Sequence, residues 1–166
     1  MKNILFALCI FMATPALALE SNNIQQFKDE LMPAEIEFYD IKWQKHYLED
    51  YDNKVKLVVF WASWCTSCVE EITALDMLQK DFRKLPFKVL IISEDYRGEE
   101  DTHKFLKQQE IRYLEAFHDL KQQLFNAFGV SGLPAAFLID EDGNKLLKFN
   151  GKVKWFDDKI RKRILE

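Results

Sequence analysis

The sequence predicts a layered α/β sandwich around one central sheet of mixed parallel and antiparallel strands, and three observations predict it. Val55 to Trp61 is almost continuously apolar, as expected of a strand covered on both faces by helices. Behind it, Ile72, Leu75, Leu78 and Phe82 recur at helical spacing and lead into a second apolar run, Phe87 to Ile92, which spells out a strand–helix–strand unit. Further on, Ala135 to Ile139 is followed by Asp142-Gly143, a strong hairpin signal into Lys145 to Phe149. A parallel pair joined by a helix and an antiparallel hairpin can share one sheet with helices on its faces.

The remaining elements follow in order. Residues 1–18 read as an export signal: Lys2 supplies the positive end, Ile4 to Ala13 the apolar run, and Ala16-Leu17-Ala18 the small-x-small cleavage pattern. The run is broken by Thr14-Pro15 and falls short of the roughly 20 residues of a spanning helix, so cleavage after Ala18 is expected over the alternative of an uncleaved anchor. Cys9 lies within the apolar run and follows Leu8 where a lipid-attachment site wants a small residue. Residues 19–166 then form a single domain, with no repeat and no Gly-, Pro- or Ser-rich linker dividing it. Residues 21–32 predict a short polar helix ended before Pro33, Glu35 to Ile41 an edge strand, and His46 to Asp52 a loop or turn. The long helix of roughly 66–84 stops before Pro86, and residues 99–109 predict another helix carrying Phe105 and Leu106. Ile111 to Phe117 reads as a short extended piece. Leu120, Leu124 and Phe128 repeat every four residues until Gly129 stops the helix, and Trp155, Phe156, Ile160 and Ile164 mark a last amphipathic helix.

Composition narrows the function. The chain carries 23 Lys plus Arg against 27 Asp plus Glu. Removing residues 1–18 takes one lysine and leaves a mildly acidic domain, which argues against a nucleic-acid partner. Lys152, Lys154, Lys159, Arg161, Lys162 and Arg163 gather at the C-terminus, where a solvated helix end complementing the dipole accounts for them more simply than a docking patch. His46, His103 and His118 are scattered and read as surface residues rather than ligands, so no metal or other cofactor is expected.

The processed domain keeps only Cys65 and Cys68, and an exported protein would ordinarily use its cysteines as staples. This pair closes a loop too small to stabilise the fold much by chain entropy, so a catalytic role is favoured. A Cys-x-x-Cys at a strand-to-helix junction suits thiol–disulfide exchange. Residues three apart on a helix lie one above the other, within reach of a disulfide. The first sulfur meets free N–H groups and the positive end of the dipole, which favour a thiolate. A low-pKa thiolate is a better-populated nucleophile and a better leaving group.

With these residues placed, the chain resembles the thioredoxin superfamily, and more closely its exported branch typified by TlpA and ResA. Two matches carry the resemblance: Val58-Val59-Phe60-Trp61-Ala62-Ser63-Trp64-Cys65-Thr66-Ser67-Cys68, and Gly129-Val130-Ser131-Gly132-Leu133-Pro134-Ala135-Ala136-Phe137-Leu138-Ile139-Asp140 followed by Gly143. They stand about seventy residues apart, in the right order. The resemblance implies a thioredoxin-like three-layer sandwich and a cis peptide between Leu133 and Pro134 packed against the disulfide. It also implies a substrate segment that pairs with the backbone of Leu133 as a short extra strand. An ordinary trans proline opening an edge strand is the alternative for Pro134.

Two departures bear on mechanism. Cytoplasmic thioredoxins carry a buried Asp six residues before the first cysteine, where this chain has Val59. The exported branch instead places a Glu three residues after the second cysteine, and Glu71 stands there. It could take the proton of Cys68, better so if partial burial raises its pKa, or it could be an exposed acid favoured by the dipole, as Glu70 is taken to be. The branch's helix-kinking proline is replaced by Thr73. Trp64 is expected to shield Cys65 and offer apolar surface to a substrate, whereas Trp61 is as readily core packing.

The expected chemistry is attack by a Cys65 thiolate on a protein disulfide, followed by attack of Cys68 on Cys65. The resemblance implies the reducing direction in the periplasm. Apocytochrome c cysteines or copper-site thiols would be clients, a membrane thiol donor of DsbD/CcdA type would supply electrons, and the domain would act as a monomer. Thr66-Ser67 between the cysteines matches neither the Gly-Pro of thioredoxins nor the Pro-His of strong oxidants, so a disulfide-forming thiol oxidase is the alternative. A copper-binding module is a further one, though no His or Met lies between Val55 and Thr73 and Met77 reads as a core-facing residue.

Overall fold

The computed structural model describes residues 23–33, 35–96 and 99–165; the expected export signal and its cleavage site lie outside them. Among the described residues eight strands form a single mixed sheet: β1 Ile24–Leu31, β2 Phe38–Asp40, β3 Lys45–His46, β4 Val55–Trp61, β5 Phe87–Ser93, β6 Glu115–His118, β7 Ala135–Ile139 and β8 Asn144–Asn150. They lie in the order β1-β8-β7-β4-β5-β6-β2-β3. The helices are α1 Thr66–Phe82, α2 Glu99–Gln108, α3 Gln123–Ala127 and α4 Asp158–Leu165, with a 3₁₀ turn at Leu48–Tyr51. The expected α/β sandwich with a mixed sheet is what forms.

The centre of the sheet sets up the site. β4 runs parallel to β5, in register from Val55 opposite Phe87 to Trp61 opposite Ser93, and antiparallel to β7, with Phe60 opposite Ala135. The C-terminal end of β4, which feeds Cys65, therefore meets the N-terminal end of β7, which follows Leu133-Pro134. Two sequence matches seventy residues apart are neighbours because one strand ends where an antiparallel one begins.

Alternation along the strands divides the core in two. Leu57, Val59 and Trp61 pack with Ile72, Leu75, Leu78 and Phe82 of α1 and with Trp155 and Ile164. Val58 and Phe60 point the other way, against Leu124, Phe128 and Phe137. Val59 is fully enclosed in the first core.

Several expectations need correction. Within the expected helix of 21–32, Ile24–Leu31 is a strand instead: β1 pairs antiparallel with β8, with a register shift between Gln26 and Glu30 where Asp29 adopts φ 54°. Ile24 and Phe27 are three apart, a spacing that puts residues on one face of a helix but on opposite faces of a strand. Here Ile24 packs on the first core and Phe27 on the second. The segment from Glu35 to Ile41 contributes only Phe38–Asp40, and the short β3 rather than β2 takes the edge. Ile111 to Phe117 is extended only from Glu115, because the N–H groups of Arg112, Tyr113 and Leu114 all converge on Asp76 Oδ1 at 2.6 to 3.1 Å.

The last two helices are shorter than their patterns. α3 begins at Gln123, leaving Leu120 half exposed, and α4 begins at Asp158, after the buried Trp155. The hairpin is a wider turn than Asp142-Gly143 alone suggests: Asp140 Oδ1 accepts from the N–H groups of Asp142 and Asn144, and Gly143 sits at φ 87°. A Cβ there would lie 3.3 Å from the Met32 side chain.

Met77 is exposed rather than core-facing. His118 is buried, stacked beside Trp43, so it is not a surface residue; His46 and His103 line a cavity of about 450 Å³ between α2 and β6.

Candidate active site

β4 delivers the chain to the site and stops where its ladder with β5 stops. Ala62 to Cys65 then make a turn closed by the Cys65 N–H donating to the Ala62 carbonyl at 3.1 Å. Cys65 is the N-cap of α1, in extended conformation (φ −88°, ψ 101°), and its Sγ takes the cap-acceptor role, receiving the Cys68 N–H at 3.3 Å. Ser67 Oγ lies 3.5 Å from the same sulfur. Cys65 and Cys68 are joined as a disulfide, with Cα atoms 5.2 Å apart.

The two sulfurs are not equivalent. Cys65 retains 8% exposure and Cys68 1%, so an incoming nucleophile or disulfide meets Cys65 first. Position at the cap adds to this, because the N–H groups of the first turn stabilise a negative charge on Cys65. Trp64, the residue before it, is 69% exposed, which leaves a large apolar ring at the rim of the site. Trp61 is wholly buried, a core residue whose ring lies tilted against Phe105 with centroids 5.2 Å apart.

Glu71 does not face solvent. It is 3% exposed, and one carboxylate oxygen accepts the backbone N–H of Val153. Burial raises its pKa to about 7, while the Val153 N–H, the Trp155 side chain and the Lys152 charge pull it the other way. Glu70, its neighbour, is exposed and pairs with Lys152. Thr73 in place of a proline leaves α1 continuous from Thr66 to Phe82.

The Leu133–Pro134 peptide bond is cis. Pro134 is buried, and Leu133, half-buried, packs against both cores. The Pro134 carbonyl accepts the N–H of Gly151 at 2.8 Å. Gly151, at φ 75°, turns the chain out of β8 in a conformation that a side chain disfavours. Two residues later Val153 reaches Glu71. One short strap, Gly151 to Val153, thus holds the proline loop at one end and the carboxylate at the other. Sequence reading missed it, since a backbone donor leaves no residue signature; a glycine just past a strand was the only trace.

Among the described residues no group of three or more His, Cys, Asp or Glu is arranged to hold a metal, and no helix is long and apolar enough to cross a membrane. The basic residues at the C-terminus are partly engaged: Arg161 meets Asp81 at 3.1 Å and lies over Phe82.

This geometry has relatives. Residues 24–144 match the model of the AhpC/TSA family. The thiol-disulfide oxidoreductase ResA of Bacillus thuringiensis subsp. konkukian is 27% identical over 113 residues, 68% of this chain and 64% of that protein. The ResA of Geobacillus thermodenitrificans is 30% identical over 106 residues, 63% of this chain and 59% of that one. The chain thus spans just under two thirds of the length of such curated relatives. A crystal structure of a thiol:disulfide interchange protein DsbE from Chlorobium tepidum superposes with a TM-score of 0.74 at 27% identity, covering 85% of this chain and 97% of that one. The fold is thioredoxin-like.

Proposed function

The chain belongs to the AhpC/TSA family, and from that membership and the site just described we propose that it is an exported thiol–disulfide oxidoreductase that reduces disulfides in other proteins. The observation that carries the reading is the Cys65–Cys68 disulfide at the start of α1, with the more exposed sulfur as the helix cap. In the reduced protein, the Cys65 thiolate attacks one sulfur of a client disulfide. A mixed disulfide forms and the client's other sulfur leaves as a thiolate. Cys68, deprotonated by Glu71, then attacks Cys65 Sγ; the client leaves as a dithiol and the Cys65–Cys68 disulfide closes, two electrons having passed to the client. A carboxyl near pH 7 is suited to that proton, because it is ionised often enough to accept it and basic enough to hold it.

Trp64 and the backbone of Leu133, beside Pro134, are the proposed client-binding surface. The client class is a periplasmic protein that must keep cysteines free, such as an apocytochrome c or a copper-site protein, and a membrane thiol donor of DsbD/CcdA type resupplies electrons to a monomeric domain. Residues 1–18 are the proposed export signal.

The test is the reduction potential of the 19–166 fragment in defined thiol–disulfide buffers. A value near or below about −250 mV is expected of a reductant; one near about −120 mV would make the disulfide the active form and the protein a thiol oxidase.

A further inference from the structure

Asp95 is a buried carboxylate that the exchange chemistry leaves unused. It follows β5 by two residues and is 6% exposed, yet both of its oxygens are engaged. Oδ1 accepts the backbone N–H and the hydroxyl of Ser63, each at 2.9 Å. Oδ2 accepts the Ser93 hydroxyl at 2.9 Å, and the Thr102 hydroxyl of α2 lies 3.2 Å from Oδ2 and 2.9 Å from Ser93 Oγ. Burying a carboxylate is costly unless its oxygens are well served. What this one holds is the turn that presents Cys65.

Ser63 and Trp64 are the two inner residues of that turn, between the Ala62 carbonyl and the Cys65 N–H that closes on it. Fixing Ser63 by two hydrogen bonds fixes where Cys65 enters α1, and so whether its sulfur stays over the Cys68 N–H. Just before the turn, Trp61 packs on Phe105 of α2, the helix that also carries Thr102. The loop is therefore referenced to β5 and α2, elements that carry none of the reacting groups.

We propose that Asp95 is a positioning residue for Cys65, holding the Ala62–Cys65 turn through Ser63 so that the first sulfur keeps its place at the cap of α1. This rests on the reading of Cys65 as the attacking sulfur. The test is the pH profile of Cys65 alkylation by iodoacetamide in the reduced protein, measured for the unaltered chain and for Asp95→Ala, Asp95→Asn and Ser63→Ala. Asp95→Ala is expected to slow alkylation at neutral pH by about fivefold and move the profile to higher pH, as the thiolate loses a fixed donor. Asp95→Asn keeps an acceptor toward Ser63, while the Ser93 and Thr102 hydroxyls can turn to meet its amide, so it should return the rate to within about twofold of the unaltered chain.

A faster reaction shared by the Ala and Asn variants would mean that Asp95 acts only as a through-space charge, and would overturn the proposal. An unchanged profile in folded Asp95→Ala would reduce it to a stability role. If Asp95→Ala does not fold, Ser63→Ala, which removes one of the two bonds, is expected to slow alkylation by about twofold with the same shift to higher pH, and an unchanged Ser63→Ala profile would overturn the proposal. Alkylation needs no client, so a protein that reduces no disulfide would sink the proposed function while this comparison still judged Asp95.

Discussion

Glu71 and Asp76 lie five residues apart on α1, both buried, and are served in opposite ways. Asp76 receives three backbone N–H groups on a single oxygen, those of Arg112, Tyr113 and Leu114, and so pins the connection between α2 and β6 to the middle of α1. Glu71 receives one backbone N–H, from Val153, and desolvation prevails, holding its pKa at about 7. A buried carboxylate that many donors surround is a fixed structural group. One with few donors has its charged form raised toward the neutral one, which suits it to the proton transfer proposed for Glu71.

The comparison breaks most visibly at Asp76. Asp76→Ala strands three N–H groups of a partly buried loop and should cost about 3 kcal/mol in denaturant unfolding. The alkylation profile of Cys65 should stay where it was; a shifted profile would show that the two carboxylates are not separable.

Next comes Glu71. Glu71→Gln keeps an acceptor for the Val153 N–H but cannot take a proton, so disulfide-reductase turnover should fall by about tenfold and lose its rise around pH 7. Unaltered turnover would return Glu71 to the role of a helix-end acid.

Stability against pH sharpens the contrast. The carboxyl pKa of Glu71 is raised from an ordinary 4.5 to about 7, so between those values the unfolded chain releases the proton first and stability falls as pH rises. Glu94, raised to about 8 by burial and the nearby Asp119, adds a fall of the same sign that extends higher. Glu71→Gln should flatten the curve between pH 5 and 7 and leave the variant about 1 kcal/mol more stable than the unaltered chain at pH 8, with solvent at the edge of the site allowed for. Equal slopes in urea titrations of the two proteins would contradict the assignment.

The smallest effect is expected at the exposed Glu70–Lys152 pair. Lys152→Ala should leave unfolding within measurement scatter, since such pairs are screened by water and salt. It should nudge the Glu71 titration upward, because Lys152 is one of the groups that lower it. A downward shift would reverse that electrostatic reading.

Much of the fold was readable where a residue's neighbours in sequence are also its neighbours in space. β4, α1, β5 and β7 fall within two residues of their expected bounds, since unbroken apolar runs and helical spacing are local signals. In β1 the local signal misleads: Ile24 and Phe27 are three apart, as on one face of a helix, yet a bulged strand offers them to the two sides of a sheet. Cys65 and Cys68 were legible for the same local reason as α1, their spacing and their place at its start.

The sequence by itself determined the cysteine pair, the helix that Cys65 caps and the neighbouring carboxyl at the third position beyond Cys68. Only the tertiary structure decided what those groups experience. The Val153 N–H and the burial that set Glu71, the carbonyl of Pro134 tied to Gly151, and the Asp95 carboxylate under Ser63 all join segments that are distant along the chain. Hydrogen bonds to backbone atoms and the loss of solvent have no residue code. They exist once β4, β5 and β7 bring their ends together.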